Sequence, residues 1–322
     1  MNLRSYIAKR ILQAIPTIFA ILVINFVIIH SVPGDPVHML IGEFQTDEIY
    51  VQLMRAKFGL DKPLQEQLFL YLVNTLQGDL GTSVSGKPVI VAIAERIPNT
   101  LLLMSTGMFF GVLFGIIAGV ISSKKVHSLI DNITTVGTLM VYSMPAFWLA
   151  QMLVLFFAIY LHWLPSVGMI TLRVDLTGID YVIDMAKHLI LPAMALGVGQ
   201  LALMMRLTRS GMLRVMREDY IITAKAKGLP ENTVIYKHAF RNALLPLITM
   251  IGHQVGFMIT GAVLTEAVFS WPGMGRLLTT ALQSRDYPVI MGILLVVSVT
   301  VVISNLVTDV LYAALDPRVK YQ

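Results

Sequence analysis

The sequence has no cysteine, and only 13% of its 322 residues are charged. Without cysteine there is no disulfide framework, no thiolate nucleophile and no Cys-ligated metal. Soluble domains carry about 25% charged residues, so a disordered chain or a soluble enzyme is a poor reading of this one. Helical histidine pairs are also lacking: His30, His38, His127, His162, His188, His238 and His253 are dispersed, with none at i, i+3 or i, i+4. Neither Ser210 nor Ser270 sits in a G-x-S-x-G context. No metal set and no catalytic residue is therefore expected. Gly81-Thr82-Ser83-Val84-Ser85-Gly86-Lys87 has the skeleton of a phosphate loop, but Pro88 stands where Mg²⁺ coordination needs a hydroxyl. No buried strand precedes it, so the chain is expected to bind no nucleotide.

What the sequence has in abundance is apolar length. Apolar residues make up 56% of the chain, and six runs without Asp, Glu, Lys or Arg reach 18 residues: Ile11–His30, Asn99–Ser123, Asn132–Leu172, His188–Met205, Asn242–Thr265 and Tyr287–Thr308. About 20 helical residues cross a hydrocarbon core of about 30 Å. The first run is too long for the apolar part of a cleavable leader, and no small-residue cleavage pair follows it. The third run, long enough for two crossings, is assigned one by the positive-inside rule. With one crossing per run, the segments on the N-terminal side hold 15 of the 24 Lys and Arg, eight of them in Arg206–Arg241. A second crossing would export that segment. A helix is thus expected over Ile133–Tyr160, with an interfacial turn at His162, Trp163, Pro165 and Gly168. The expectation is an all-α integral membrane protein with six transmembrane helices and both termini cytoplasmic.

Two connections are long. Ser31–Pro98 contains Gln67–Leu76, too short to span and expected as a surface helix. Arg206–Arg241 is basic, with the expected form helix, turn at Gly228, then a second helix from Pro230. Its eight bases imply a partner or lipid headgroups. Pro16, Pro145, Pro192 and Pro246 fall inside crossings, where proline is tolerated, and are read as neutral. Glu266 ends the fifth crossing. Gln151, His253, Gln254 and Asn305 are polar positions within crossings, candidates for lining a path or for joining helices.

The segment Glu218-Asp219-Tyr220-Ile221-Ile222-Thr223-Ala224-Lys225-Ala226-Lys227-Gly228-Leu229-Pro230, followed by His238-Ala239-Phe240-Arg241-Asn242-Ala243, resembles the cytoplasmic loop of ABC-importer permeases of the dipeptide/oligopeptide/nickel type. The broader importer motif has an acid six residues before the glycine; Ile222 stands there in this chain. Further segments resemble the same family: Pro33-Gly34-Asp35-Pro36, Gly59-Leu60-Asp61-Lys62-Pro63, Gly78-Asp79-Leu80-Gly81-Thr82-Ser83, Phe269-Ser270-Trp271-Pro272-Gly273-Met274-Gly275-Arg276-Leu277, Arg285-Asp286-Tyr287-Pro288 and Asp316-Pro317-Arg318.

The resemblance implies a type I importer permease fold in a bacterial or archaeal cytoplasmic membrane, and import of di- or oligopeptides. It implies partners: a second homologous permease, two ATPase subunits or domains that bind ATP and Mg, an extracytoplasmic substrate-binding protein and the bilayer, with no nucleic acid. The chain itself would catalyse nothing. It divides into residues 1–30 (tail and first helix), 31–98 (extracytoplasmic), 99–315 (five-helix core, with the coupling segment at 206–241) and 316–322 (tail). Thr223, Ala224, Lys225, Ala226, Lys227, Gly228, Leu229, Arg241 and Asn242 would contact the ATPase, with Ala224 and Gly228 letting a short helix seat deeply. Glu266, Trp271, Pro272 and Gly273 would lie on the binding-protein side. A nickel or metal-chelate importer is the alternative within the family; a secondary transporter, then an integral-membrane enzyme, are the alternatives outside it.

Overall fold

The computed structural model describes residues 3–31, 52, 55–56, 61–124, 126–172, 174–256, 258 and 262–315, with the side chains of 3–8, 245, 249, 253, 256 and 308–315 outside that description. In chain order the helices are α1 (Leu3–Ser31), α2 (Leu64–Leu76), α3 (Val89–Ala94), α4 (Ile97–Lys124), α5 (Leu129–Tyr142), α6 (Ala146–Leu153), α7 (Ile179–Val215), α8 (Asp219–Ala226), α9 (Arg241–Gly256), α10 (Val263–Val268), α11 (Met274–Gln283) and α12 (Tyr287–Leu315). Wide π-helical turns, Val154–Tyr160 and Val234–Phe240, extend α6 and lead into α9. Helix α2 contains the short helix expected at Gln67–Leu76.

Among the described residues, four helices are long and apolar enough to cross a membrane, and a fifth span arises if the pair Leu129–Tyr142 and Ala146–Tyr160 counts as one. The sequence expectation of six is met by four or five. Residues 257 and 259–261 of the run Asn242–Thr265 lie outside the described residues, as do Pro33–Pro36, Gly59, Leu60 and Asp316–Arg318. The third run departs from the single helix expected over Ile133–Tyr160: its halves meet at 103°. Pro145, at φ −57° and ψ 131°, precedes α6. Having no N–H, it cannot continue the ladder to the carbonyl of Val141, and it disfavours helical backbone at Met144. Pro16, Pro192 and Pro246 stay within their helices, so Pro145 is the proline that breaks one. The expected turn is present, with His162 at φ +55°.

The chain forms two compact units, Met1–Asn99 with Gly273–Gln322, and Thr100–Pro272. In the first, α1 lies along α12. Phe26 of α1 stacks on Tyr71 of α2, ring centres 5.8 Å apart. Val89 and Ile93 of α3, Met274 and Ala281 of α11, and Val289, Ile290 and Ile293 of α12 form its core.

The second unit is organised about α7, a continuous helix of 37 residues, or about 55 Å at 1.5 Å per residue. Its last turns, Arg206–Val215, come from the basic connection, whose first part the sequence expects to be helical. Gly107, Gly111, Gly115 and Gly119 of α4 face α7 at every fourth position. A Cβ at Gly111 would stand 2.5 Å from the carbonyl oxygen of Gly197, and one at Gly115 2.7 Å from that of Leu201. Glycine alone admits backbones this close.

Candidate functional site

The segment after α7 folds back onto the chain's own core. In α8, Ile221 and Ala224, one helical turn apart, point inward with Met212 and Val215 of α7, Val120 of α4, and Val234, Ile235 and Ala239 of the π-helical turns; Ala243 of α9 completes the cluster. Ala224 is 7% exposed. The sequence reading placed it against a partner; it instead holds α8 to the ends of α4 and α7, where a larger side chain would lift the helix.

Helix α8 ends in a left-handed glycine cap. Gly228 has φ +75°, its N–H donates to Lys225 O at 2.9 Å, and that of Leu229 donates to Ala224 O at 3.4 Å. This is the double bond of a Schellman motif, which favours glycine for its backbone and not for space. Nothing lies within 4 Å of a Cβ at Gly228. Polar bonds pin the hairpin's outer edge. Asn242 Nδ2 donates to Tyr220 Oη at 2.7 Å and to His238 O at 3.2 Å. Lys124 Nζ donates to Tyr236 Oη at 2.9 Å.

With Ile221 and Ala224 inward, the outer face of α8 presents Ile222, Thr223, Lys225, Ala226, Lys227, Gly228 and Leu229, and Arg241 is also exposed. Ile222 is 57% exposed. An apolar centre with two lysines at its edge, outside the apolar spans, has the makeup of a protein-docking surface.

Beneath this hairpin lies a network that sequence reasoning missed. Asp131, at the start of α5, is buried and accepts two parallel bonds from Arg209 of α7, Nε at 2.7 Å and Nη2 at 2.8 Å. It also accepts from Ser122 Oγ of α4 and from His127 N at 2.9 Å. One carboxylate thus ties three helices. No local pattern pairs residues 78 positions apart. The glycine stripe of α4, by contrast, is a visible G-x-x-x-G series.

The residues expected on the opposite side divide differently. Glu266 and Trp271 are fully buried and cannot present a surface. Thr100 Oγ1 donates to Glu266 Oε1 at 2.8 Å, and Trp271 packs with Leu103 and Ala193. Gly273 is buried and Pro272 half-buried. The motif around them is scaffold: Phe269 O accepts from Gly168 N at 2.8 Å, closing the 161–178 connection onto α10. In the other unit, Asp286 accepts from Ser83 Oγ at 2.5 Å and Val84 N at 3.1 Å, and its second oxygen accepts from Val289 N at 3.4 Å in the first turn of α12. The Gly81–Lys87 segment is therefore a turn bound to a helix start.

Gln151 is exposed on α6, Gln254 half-buried on α9 and Asn305 exposed on α12, while the side chain of His253 lies outside the described residues. Among the described residues, no three His, Asp or Glu side chains converge to hold a metal ion.

Comparison with known proteins bears on the whole chain. Residues 111–321 match the family described as binding-protein-dependent transport system inner membrane component, and residues 3–104 match its N-terminal companion. The di/tripeptide transport system permease protein DppB of Pseudomonas aeruginosa (strain UCBPP-PA14) is 41% identical, covering 99% of both chains. The glutathione transport system permease protein GsiC of Escherichia coli (strain K12) is 40% identical, again over 99% of both. Among solved structures, inward-facing MetNI methionine ABC transporter superposes with a TM-score of 0.55 at 15% identity, over 70% of this chain and 97% of the other.

Proposed function

The chain belongs to the family of inner membrane components of binding-protein-dependent transport systems, and from that premise we propose that it is a permease subunit in the ATP-driven import of short peptides. The observation that carries the reading is the full-length identity of about two residues in five to permeases named for di/tripeptide and glutathione transport, itself a tripeptide class. In this reading the chain is a multi-pass membrane protein with six crossings and cytoplasmic termini, the arrangement that the distribution of basic residues supports. It pairs with a second permease to enclose the path. A binding protein delivers peptide from outside, and two ATPase subunits, holding ATP and Mg, dock on the other side. Catalysis is theirs.

Coupling follows from the packing. A partner pressing on the outer face of α8 acts on a helix seated through Ile221 and Ala224 on the ends of α7 and α4. Helix α7 is continuous, and the glycine stripe keeps α4 against it, so the displacement passes into the membrane as movement of a packed pair. Lys225 and Lys227 meet acids on the ATPase rim, while Ile222 and Leu229 fill its groove. The segments Ser31–Pro98 and Phe269–Asp286 lie on the side of the binding protein.

The test is uptake of labelled di- and tripeptides, glutathione among them, by the complete transporter reconstituted with its binding protein. ATP-dependent uptake is expected, and the double variant Ile222→Ala/Leu229→Ala should lose most of it while inserting normally. Peptide uptake that needs neither ATP nor ATPase subunits would overturn the reading.

A further inference from the structure

The last turns of α7 carry more arginine than the hairpin uses. Arg209 is taken up by Asp131, and the Arg206 guanidinium lies over the Tyr142 ring, 4.6 Å from its centre. Arg214 and Arg217 are exposed and make no ion pair or hydrogen bond among the described residues. With Arg209, Ser210, Leu213 and Glu218 they line an open cavity of about 550 Å³. Ser210, Leu213 and Arg214 stand on the last turns of α7, and Arg217 and Glu218 follow just past its end, so the cavity lies at the C-terminal end of α7. Arg209 spends Nε and Nη2 on Asp131.

Depth along the helix decides what can occupy it. The charge-free run ends at Met205. At 1.5 Å per residue, Ser210 lies about 8 Å and Arg214 about 13 Å beyond it. Helical side chains lean toward the helix N-terminus, which here is back toward the bilayer. The Arg214 guanidinium, reaching back along the helix, the Ser210 hydroxyl and the apolar Leu213 therefore meet the lipid–water boundary, where the headgroup layer is about 5–8 Å thick on each side, and Arg217 adds a second guanidinium on its outer side. A guanidinium binds phosphate through paired N–H donors. Glu218, at the far end near α8, favours a phosphate at the bilayer end, beside Ser210 and Arg214.

We propose that the cavity along Ser210, Arg214 and Arg217 binds a phosphate group, that of an anionic lipid headgroup, at the root of the coupling hairpin. The site goes beyond the import reading and does not depend on it, because lipid binding is read without transport. A lipid held there would tie the base of α8 to the membrane surface while its outer face meets the partner.

The test is native mass spectrometry of the full chain, purified with whatever subunits remain bound, from nanodiscs of phosphatidylcholine and phosphatidylglycerol. Retention of phosphatidylglycerol over phosphatidylcholine is expected, falling about 10- to 30-fold in Arg214→Gln/Arg217→Gln. The Lys237→Gln variant, which removes a basic charge elsewhere on the same hairpin, should retain the lipid. So should Arg214→Lys/Arg217→Lys, which keeps the charge and so distinguishes loss of the site from loss of fold. In a second arm, phenylglyoxal modification of Arg214 and Arg217 is followed in phosphatidylcholine discs with and without inorganic phosphate. Protection there, without lipid retention, supports the anion site with soluble phosphate as its source. Retention unchanged in the double Gln variant, or no retention and no protection, overturns the proposal.

Discussion

Replacing Gly111 by alanine tests the closest approach in the second unit. The new Cβ would lie 2.5 Å from the carbonyl oxygen of Gly197 and 2.7 Å from Gln200 Cβ. An ordinary contact is about 3.5 Å, so α4 and α7 must separate by on the order of 1 Å, a gap that forfeits a quarter to a half of each neighbouring dispersion contact. Overpacking costs about 1–3 kcal/mol, toward the upper end here because the obstacle is a carbonyl on a continuous helix and not a mobile side chain. The greater helix propensity of alanine returns about 1 kcal/mol. The net loss is about 1–2 kcal/mol, lowering Tm by about 3 °C for a chain of this size. The controls are internal: nothing lies within 4 Å of a Cβ at Gly137 or Gly199, so Gly137→Ala and Gly199→Ala keep only the propensity gain. Tm in detergent, read from tryptophan fluorescence, should fall for Gly111→Ala and hold or rise for the other two. Equal Tm values for Gly111→Ala and Gly199→Ala would refute the reasoning, since both add one methyl to a transmembrane helix and differ only in what that methyl meets.

Gly228→Ala should weaken coupling through backbone strain alone, about 1–2 kcal/mol for an L-residue in the left-handed region. Gly228→Asn should retain more substrate-stimulated ATP hydrolysis than Gly228→Ala. Asp131→Asn leaves Arg209 facing a neutral amide and should lower stability by about 2–4 kcal/mol, less than for a fully buried pair because Arg209 keeps some access to water; adding Arg209→Gln should restore part of the loss in the same melting assay. Ser83→Ala and Asp286→Asn each remove a buried hydrogen bond and should cost about 1–3 kcal/mol, with the double variant well short of additive because both act on one contact.

The membrane character, the short helix at α2 and the helix–glycine–helix hairpin were legible because each rests on local pattern: uncharged length, a short apolar run, a glycine between basic helical turns. The break at Pro145 was not, because a proline inside an apolar run is compatible with a kinked helix and with two helices, and packing chooses between them. The orientation of α8 was misread for a related reason. Ala224 beside two lysines looks like a small residue on a docking surface, yet the cluster with Met212, Val215 and Ala239 turns it inward, and Ile222 takes the outer face. Glu266 and Trp271, expected on the binding-protein side, are fully buried; burial is tertiary and left no local trace. The Asp131–Arg209 pair and the Ser83–Asp286 bond join positions far apart in sequence, where one sequence offers no pairing signal. The glycine stripe of α4 was legible at its four-residue spacing and needed only to be counted.

The absence of native cysteine makes the docking face of α8 directly measurable. A single cysteine at Lys227 is exposed to a membrane-impermeant maleimide, and labelling is compared in intact cells, in inside-out vesicles stripped of ATPase subunits, and in vesicles holding the assembled transporter. Labelling in the stripped vesicles alone, with protection on assembly, is the expected result. Labelling from outside intact cells, or equal labelling with and without the ATPase subunits, would contradict a cytoplasmic α8 that receives their motion.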